Sequence, residues 1–416
     1  MTDHQPLRQY SNEPVLVPHY VSQFKCLGNQ CPDTCCSGWN VFVDQSTYAA
    51  YKQCGDTSLA SAIERHVAPA VQPTITHAAT IQRDPASGDC PFLAEGWCNI
   101  QSKLGEAWLS DVCANYPRLD VRLGDALFQS MSLSCPEAAR LALTEPDAFD
   151  FEALPMPMRQ SDIRVVPTPW ALSHEQMQDV HFFCIQIAKT QGLVLWERLV
   201  CIGLLCENLR DLFASNRFDG LNEVLAGIEA LVASGQVSEL CQAMVGSAEV
   251  QASFFRALWR SGGSDQAGAV PNSVRQLVDS AAFCNTSGLQ PTPEMLTQHY
   301  QRGLQRLTEV AGAEMLLEHA VINDMLQDLF PFSGADPMHN FLKLISRFGL
   351  LRWSLAQLCV AKGDQVKLDD LLLCTQKFYR TFRHNPGFAT ALHESLHKLG
   401  WGTMEKTIPI IKPEFV

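Results

Sequence analysis

The chain has 416 residues, 46% of them hydrophobic and 18% charged, with a formal net charge of −13 and no long run of either sign. Such a length favours two domains, and such a composition belongs to a globular chain able to bury a core. An acidic chain without a basic face excludes nucleic acid as a main partner, because phosphate binding needs clustered Lys and Arg.

The first residues, MTDHQPLRQYSNEPVLVPHY, lack the basic start and apolar run of a signal peptide. The greasiest stretch, Leu193 to Cys206, is interrupted by Glu197 and Arg198 and is too short to span a bilayer. Both features predict a cytoplasmic protein. Thiols stay reduced there, so sixteen cysteines make a poor disulfide framework and a better ligand supply.

Nine of the sixteen lie between Cys26 and Cys135, and seven are scattered over the remainder. The first region, residues 1–150, is expected to be a cysteine-rich metal-binding domain of short, irregular segments, with ligation substituting for a large core. A proline-bearing stretch, EALPMPMRQSDIRVVPTP, follows and predicts a linker over 151–170. Residues 171–416 read as an all-helical domain, so the fold class is mostly α. Ser173 and Gln176 have capping-box spacing before a run that ends at Gly192. Leu195, Leu199, Ile202, Cys206, Leu209 and Phe213 recur in steps of four and three, one buried helix face. Leu221, Val224, Leu225, Ile228 and Leu231 repeat the pattern. Asn340 to Val360 predicts an amphipathic helix with Lys343, Arg347 and Arg352 on its polar side. A core position is the preferred reading for that helix, although its basic edge leaves room for peripheral membrane association at the inner face.

The clustered cysteines are Cys26-x4-Cys31-x3-Cys35-Cys36, then Cys90-x7-Cys98-x14-Cys113, then Cys135-Pro136. Thiolates are soft ligands for zinc or iron–sulfur clusters, and these eight are the candidate metal ligands. The spacing matches no zinc ribbon, which would want two C-x2-C pairs. It also fails the C-x3-C-x2-C pattern of the common radical enzymes, because Gly38 takes the third place. Adjacent cysteines point in different directions, so Cys35 and Cys36 are not expected to have identical roles. Cys54, and Cys184, Cys201, Cys206, Cys241, Cys284, Cys359 and Cys374, read as core residues. Tyr116 and Arg118, in CANYPR beside Cys113, are candidates for binding a cofactor, against the plainer reading of a surface turn pair.

FKCLGNQCPDTCCSGWNVFVD, CPFLAEGWCNIQSKLGEAWLSDVCANYPR and LSCPEAARLAL together resemble the flagellin lysine N-methylases of enteric bacteria. The CC and CPFL…C…C…YP elements are shared more loosely with a group of small zinc- or iron-chelating proteins. The resemblance is strong over the first ~145 residues, counted along those motifs, and thinner over the helical part, where it rests on length and phrases such as LFPFSG. It implies methyl transfer from S-adenosylmethionine to surface lysines of flagellin, with a [4Fe–4S] cluster held by the cysteine-rich region. Flagellin is then the protein partner, and oligomerisation is left open. The alternative is a non-enzymatic metal- or cluster-binding module whose helical domain binds a partner. No Gly-rich strand-to-helix loop of the nucleotide-binding type is present, and Arg122 to Asp125 reads as a simple turn.

His393-Glu394-Ser395-Leu396-His397 fits the H-E-x-x-H of zinc proteases. Lys398 follows directly, and only nineteen residues remain to supply a third ligand. A solvated helix face is the expectation.

Overall fold

A computed structural model describes residues 13–156, 158–159, 163–166, 171–262, 273–284, 291–334, 336–383, 396 and 400–415. The chain divides into two compact units. One is built mainly from residues 1–138 and 150–165, the other mainly from 139–149 and from 166 onward. The H-E-x-x-H histidines and Glu394 lie outside the described residues.

The first unit is not merely irregular. Among the described residues it carries three sheets, made of strands β1 (Pro14–Pro18), β2 (Val41–Val43), β3 (Val67–Pro69), β4 (Ala79–Ile81), β5 (Leu93–Ala94), β6 (Trp97–Cys98), β7 (Arg118–Leu123), β8 (Ala126–Met131), β9 (Phe151–Pro155) and β10 (Arg164–Val165). The largest sheet has the order β10-β7-β8-β1-β9. β1, next to the β9 edge, pairs parallel with β8 (Leu16 opposite Phe128) and antiparallel with β9 (Leu16 opposite Ala153). Val15 and Val17, alternate residues of β1, are fully buried, as a period of two requires. Gly124 and Asp125 turn β7 into β8, with Gly124 at φ +59°, so the expected turn is a hairpin turn.

The segment expected to be a linker is different in kind. It opens with β9, buries Met158 and Arg159, and ends in β10. Pro155 closes β9, an edge strand of the largest sheet, where a missing N–H is tolerated.

A second core joins the sheet β2-β4-β3 to Tyr51, Leu59, Ile63, Phe92 and Ile100. Asp44 and Asp56 cap the helices Gln45–Tyr51 and Thr57–His66, accepting from the N–H of Thr47 and of Leu59, each at 2.9 Å.

The described elements of the second unit are helical. Ser173 caps His174–Ala188 with both capping-box bonds in place, and the periodic run from Leu195 forms Leu195–Ala214. Leu221–Ala233 follows as expected. The axis of the unit is Pro337–Lys362, with Asp336 as N-cap and Pro337 in the first turn. The expectation of an amphipathic helix with a polar side is corrected here, because this helix is buried nearly all round. Arg352 donates to the carbonyls of Ile411 (2.8 Å) and Ile410 (3.2 Å) and to Gln251 Oε1 (3.0 Å). Arg347 faces Asp324 and Asp328. Those two cations answer protein groups. Among the described residues no helix is long and apolar enough to cross a membrane. Cys184, Cys201, Cys206, Cys241, Cys359 and Cys374 are buried as expected, and Cys284 is half-buried.

His181, fully enclosed, donates Nδ1–H to the Phe330 carbonyl at 2.7 Å, and burial pulls its pKa down to about 4. An unfolded histidine titrates near ~6.5, so between those values the unfolded chain binds a proton that the folded one refuses. The stability held in the neutral imidazole is present above about pH 6.5 and lost as pH falls through about 4. His181→Asn keeps a donor toward Phe330 and removes the titration. Its melting temperature is expected to vary less between pH 7 and pH 4.5 than that of the parent chain; parallel curves would assign the acid sensitivity to other groups.

Candidate metal centre

The eight candidate ligands all belong to the first unit, and separate local devices place them. Cys36 and Cys90 are joined through the backbone: Cys90 N–H donates to the Cys36 carbonyl at 2.8 Å, beside a bridge between Ser37 and Asp89. Cys98 ends the hairpin β5–β6, whose turn residues Glu95 (φ 52°) and Gly96 (φ 80°) are both left-handed, as a two-residue type I′ turn demands. Cys113 lies in the helix Asp111–Asn115, capped by Ser110, whose hydroxyl accepts from the Cys113 N–H at 3.4 Å. Cys36, Cys98 and Cys113, with Cys54, pack against the core that already includes Cys90.

Cys26 and Cys31 flank a single 3-10 turn, Gly28–Gln30. Gly28 is at φ +57°, and a Cβ there would come within 2.5 Å of the exposed Trp97 ring. Gly96, across the hairpin, would meet Asn29 at 3.0 Å. The 26–31 loop therefore docks on the hairpin that carries Cys98, and glycine is needed on both sides of the contact. Cys135 stands immediately before the helix Pro136–Thr144.

Several of these sulfurs accept backbone N–H groups just downstream: Cys90 from Phe92, Cys98 from Ile100 and Gln101, Cys135 from Glu137 and Ala138. Such bonds stabilise thiolate and tune iron–sulfur centres. Burial nevertheless dominates, pushing Cys90 and Cys113 up to about 12 and Cys135 up to about 11, and raising Cys98. The exception is Cys36, drawn down to about 7 chiefly by a hydrogen bond from the Cys35 thiol, whose own pKa is pushed up by that bond. A bound cation is what would hold the other thiols deprotonated.

Among the described residues no three His, Cys, Asp or Glu side chains converge closely enough to hold one metal ion. A zinc ion, with bonds of ~2.3 Å, would draw four sulfurs to within about 4 Å of one another. The thiols here are close enough to feel one another's charge without converging on one point.

Three residues outside the cysteine motifs hold this scaffold. The buried Asp44 carboxylate caps its own helix and also accepts the Asp111 N–H at 3.0 Å; burial raises its pKa, but the bonds from Ser46, Thr47 and Asp111 outweigh this and keep it low. Asp111 takes Arg159 Nη1 at 2.5 Å, both side chains being buried. The helix bearing Cys113 is thus clamped from two sides. Asp44 was legible as an N-cap before QST, whereas nothing in the proline-bearing stretch marked Arg159. Tyr116 and Arg118 are both half-buried. The Tyr116 hydroxyl lies 3.1 Å from Ser134 Oγ and its ring 5.1 Å from that of Trp39, and Arg118 lies over the Phe24 ring at 5.5 Å. Trp39 in turn donates its indole N–H to the Cys35 carbonyl.

Comparison with known proteins places a family match in the other unit. A profile of the FliB lysine N-methylase C-terminal domain matches residues 181–410, more than half of the chain. The chain is also 33% identical over 136 residues to a lysine-N-methylase of Salmonella typhimurium, covering 32% of this chain and 34% of that protein. It is 32% identical over 136 residues to the flagellar biosynthetic protein FliU of Salmonella muenchen, covering 80% of the latter. The match thus spans about a third of the length of the lysine-N-methylase. No solved structure matches. The family profile falls on the helices, where the sequence motifs were thinnest, and it settles the kinship: the chain belongs to the FliB lysine N-methylase family.

Proposed function

We propose that this protein is a lysine N-methyltransferase that transfers methyl groups from S-adenosylmethionine to surface lysines of flagellin in the cytoplasm, and that its cysteine-bearing unit holds an iron–sulfur cluster. Membership of the family through the helical region is the observation that carries the activity. The names of the relatives support lysine as the methylated residue and the flagellum as the setting. The gathering of eight thiols in one unit supports the cluster, and a module that only stored metal would have no need of the helical region that carries the family match.

In the transfer the neutral lysine nitrogen attacks the methyl carbon, the carbon–sulfur bond breaks, and the thioether leaves with the electron pair. The lysine must lose its proton first, because an ammonium has no lone pair to donate. A desolvated position lowers the amine pKa and favours that loss. The sulfonium is already a strong electrophile. A cluster pins the segments that bear its cysteines, and an iron left short of a protein ligand would give the donor's amino and carboxyl groups a place to bind. Tyr116 and Arg118 lie shortly after Cys113 and are the residues assigned to the donor. Ring and hydroxyl partners fix Tyr116 relative to Cys35 and Ser134, and Arg118 lies over the Phe24 ring.

The test is incubation of the anaerobically purified protein with flagellin and S-adenosylmethionine, followed by intact mass. Flagellin is expected to gain mass in steps of one methyl group, and the protein itself to be brown and to bleach in air. Unchanged flagellin with a loaded cluster would overturn the enzymatic reading.

A further inference from the structure

Within the second unit, the helices Leu195–Ala214 and Leu221–Ala233 leave a groove of about 350 Å³ that is open to solvent. Leu212, Val224 and Ile228 give it apolar surface, Gly227 lines it without a side chain, and Arg217 and Glu223 bring opposite charges to it. Arg217, Glu223 and Gly227 are all exposed. Among the described residues neither charged side chain makes a hydrogen bond or an ion pair. Gly227 is the telling residue, because a glycine inside a helix costs stability relative to alanine. Gly203, Gly303 and Gly349 also lie inside helices, and close packing explains them: a Cβ would press onto Met404, the Ala356 carbonyl and Phe255 respectively. At Gly227 a Cβ would meet nothing within 4 Å. The space it keeps open therefore serves no packing of this chain.

A small molecule binds where most of its surface is enclosed, which an open groove does not provide. A segment of a larger partner needs only part of its surface covered, since its other contacts share the binding. We propose that this groove docks a segment of the protein substrate other than the lysine that is methylated. That segment seats an apolar side chain over Gly227 and sets an acidic side chain against Arg217 and a basic one against Glu223. The proposal rests on the reading of flagellin as the substrate. The chain carries a net charge of −13, so a guanidinium with no counter-charge, beside apolar surface, is a specific landmark for an acidic group. Binding energy gathered away from the reacting atoms is what holds a target lysine in register.

Gly227→Leu fills the groove and Arg217→Glu reverses its cation. Each is expected to raise the flagellin KM about ten-fold, and with it the flagellin Kd measured by calorimetry without the methyl donor. The kcat and the KM for S-adenosylmethionine should keep their parental values. Gly227→Leu should melt no lower than the parent chain, because leucine is the better helix former and its Cβ meets no neighbour. Weaker binding by that variant is then not a folding defect. Unchanged Kd and KM in both variants, with flagellin still methylated, would overturn the docking site and leave the methyltransferase reading standing. Altered sedimentation of the chain alone, with flagellin binding intact, would give the groove to a second copy and would also overturn it. Flagellin bound in a Gly227-sensitive way but never methylated would support the docking site and sink the enzymatic reading. A parent chain that does not bind flagellin would overturn both.

Discussion

Replacing Arg347 by methionine is expected to destabilise the helical unit by about 3–5 kcal/mol, the usual cost of leaving one partner of a buried ion pair uncompensated. Arg347 Nη1 lies 3.0 Å from Asp324 Oδ1 and 3.3 Å from Asp328 Oδ2. Asp328 would keep a cation, because Arg383 binds it with two nitrogens, at 2.7 and 3.0 Å. Asp324 would keep the Tyr379 hydroxyl at 2.9 Å and the charge of Arg383 acting on it without an ion pair to replace the lost one, and it is almost wholly buried. Burial already raises the Asp324 carboxyl pKa, and Arg347 is the foremost group opposing that rise. Without Arg347 the folded carboxyl rises further above its unfolded value, so the folded variant binds a proton more readily than the unfolded chain. The loss is therefore smallest at low pH and grows as pH rises through the folded pKa. Urea midpoints at pH 5 and pH 8 measure this, and Arg347→Met with Asp324→Asn should recover much of the deficit. A midpoint unchanged at both pH values would show that the pair holds nothing together.

Gly303→Ala is expected to cost about 3 kcal/mol, near the top of the usual range for overpacking. Gly303 lies within the helix Pro293–Glu309, and its Cβ would stand 2.3 Å from the Ala356 carbonyl oxygen and 2.7 Å from the carbonyl carbon. Those are backbone atoms of the central helix Pro337–Lys362, so no side chain can swing away and the two helices must separate. Gly227, inside Leu221–Ala233, is the control, because a Cβ there meets nothing within 4 Å. Gly227→Ala should stabilise by about 0.5–1 kcal/mol, since alanine is the better helix former. Thermal melts of both variants decide the matter: equal effects would mean that helix propensity, not the close crossing, governs Gly303.

Much of the helical unit was legible in the residues, because its signals are local. Ser173 and Gln176 wrote a capping box within four positions, and the leucines from Leu195 kept a period that a buried helix face dictates. The cysteines were legible as ligand candidates for a similar reason, their chemistry being that of single side chains. The sheets of the first unit were not, since β1 finds its partners more than a hundred residues away and its five residues are too few to announce a period. The polar side assigned to Asn340–Val360 failed for a related reason. Periodicity sends every charge toward water, whereas Arg347 and Arg352 are answered by Asp324, Asp328 and the carbonyls of Ile410 and Ile411. Arg159 was hidden by its setting, a proline-bearing stretch that folds back to hold Asp111. Composition and spacing determined that eight thiols were available as ligands. Only the tertiary structure decided which of them become neighbours, because Cys36, Cys90, Cys98 and Cys113 meet through a hairpin, a bridge and a shared core, none of which is written in the intervals between them.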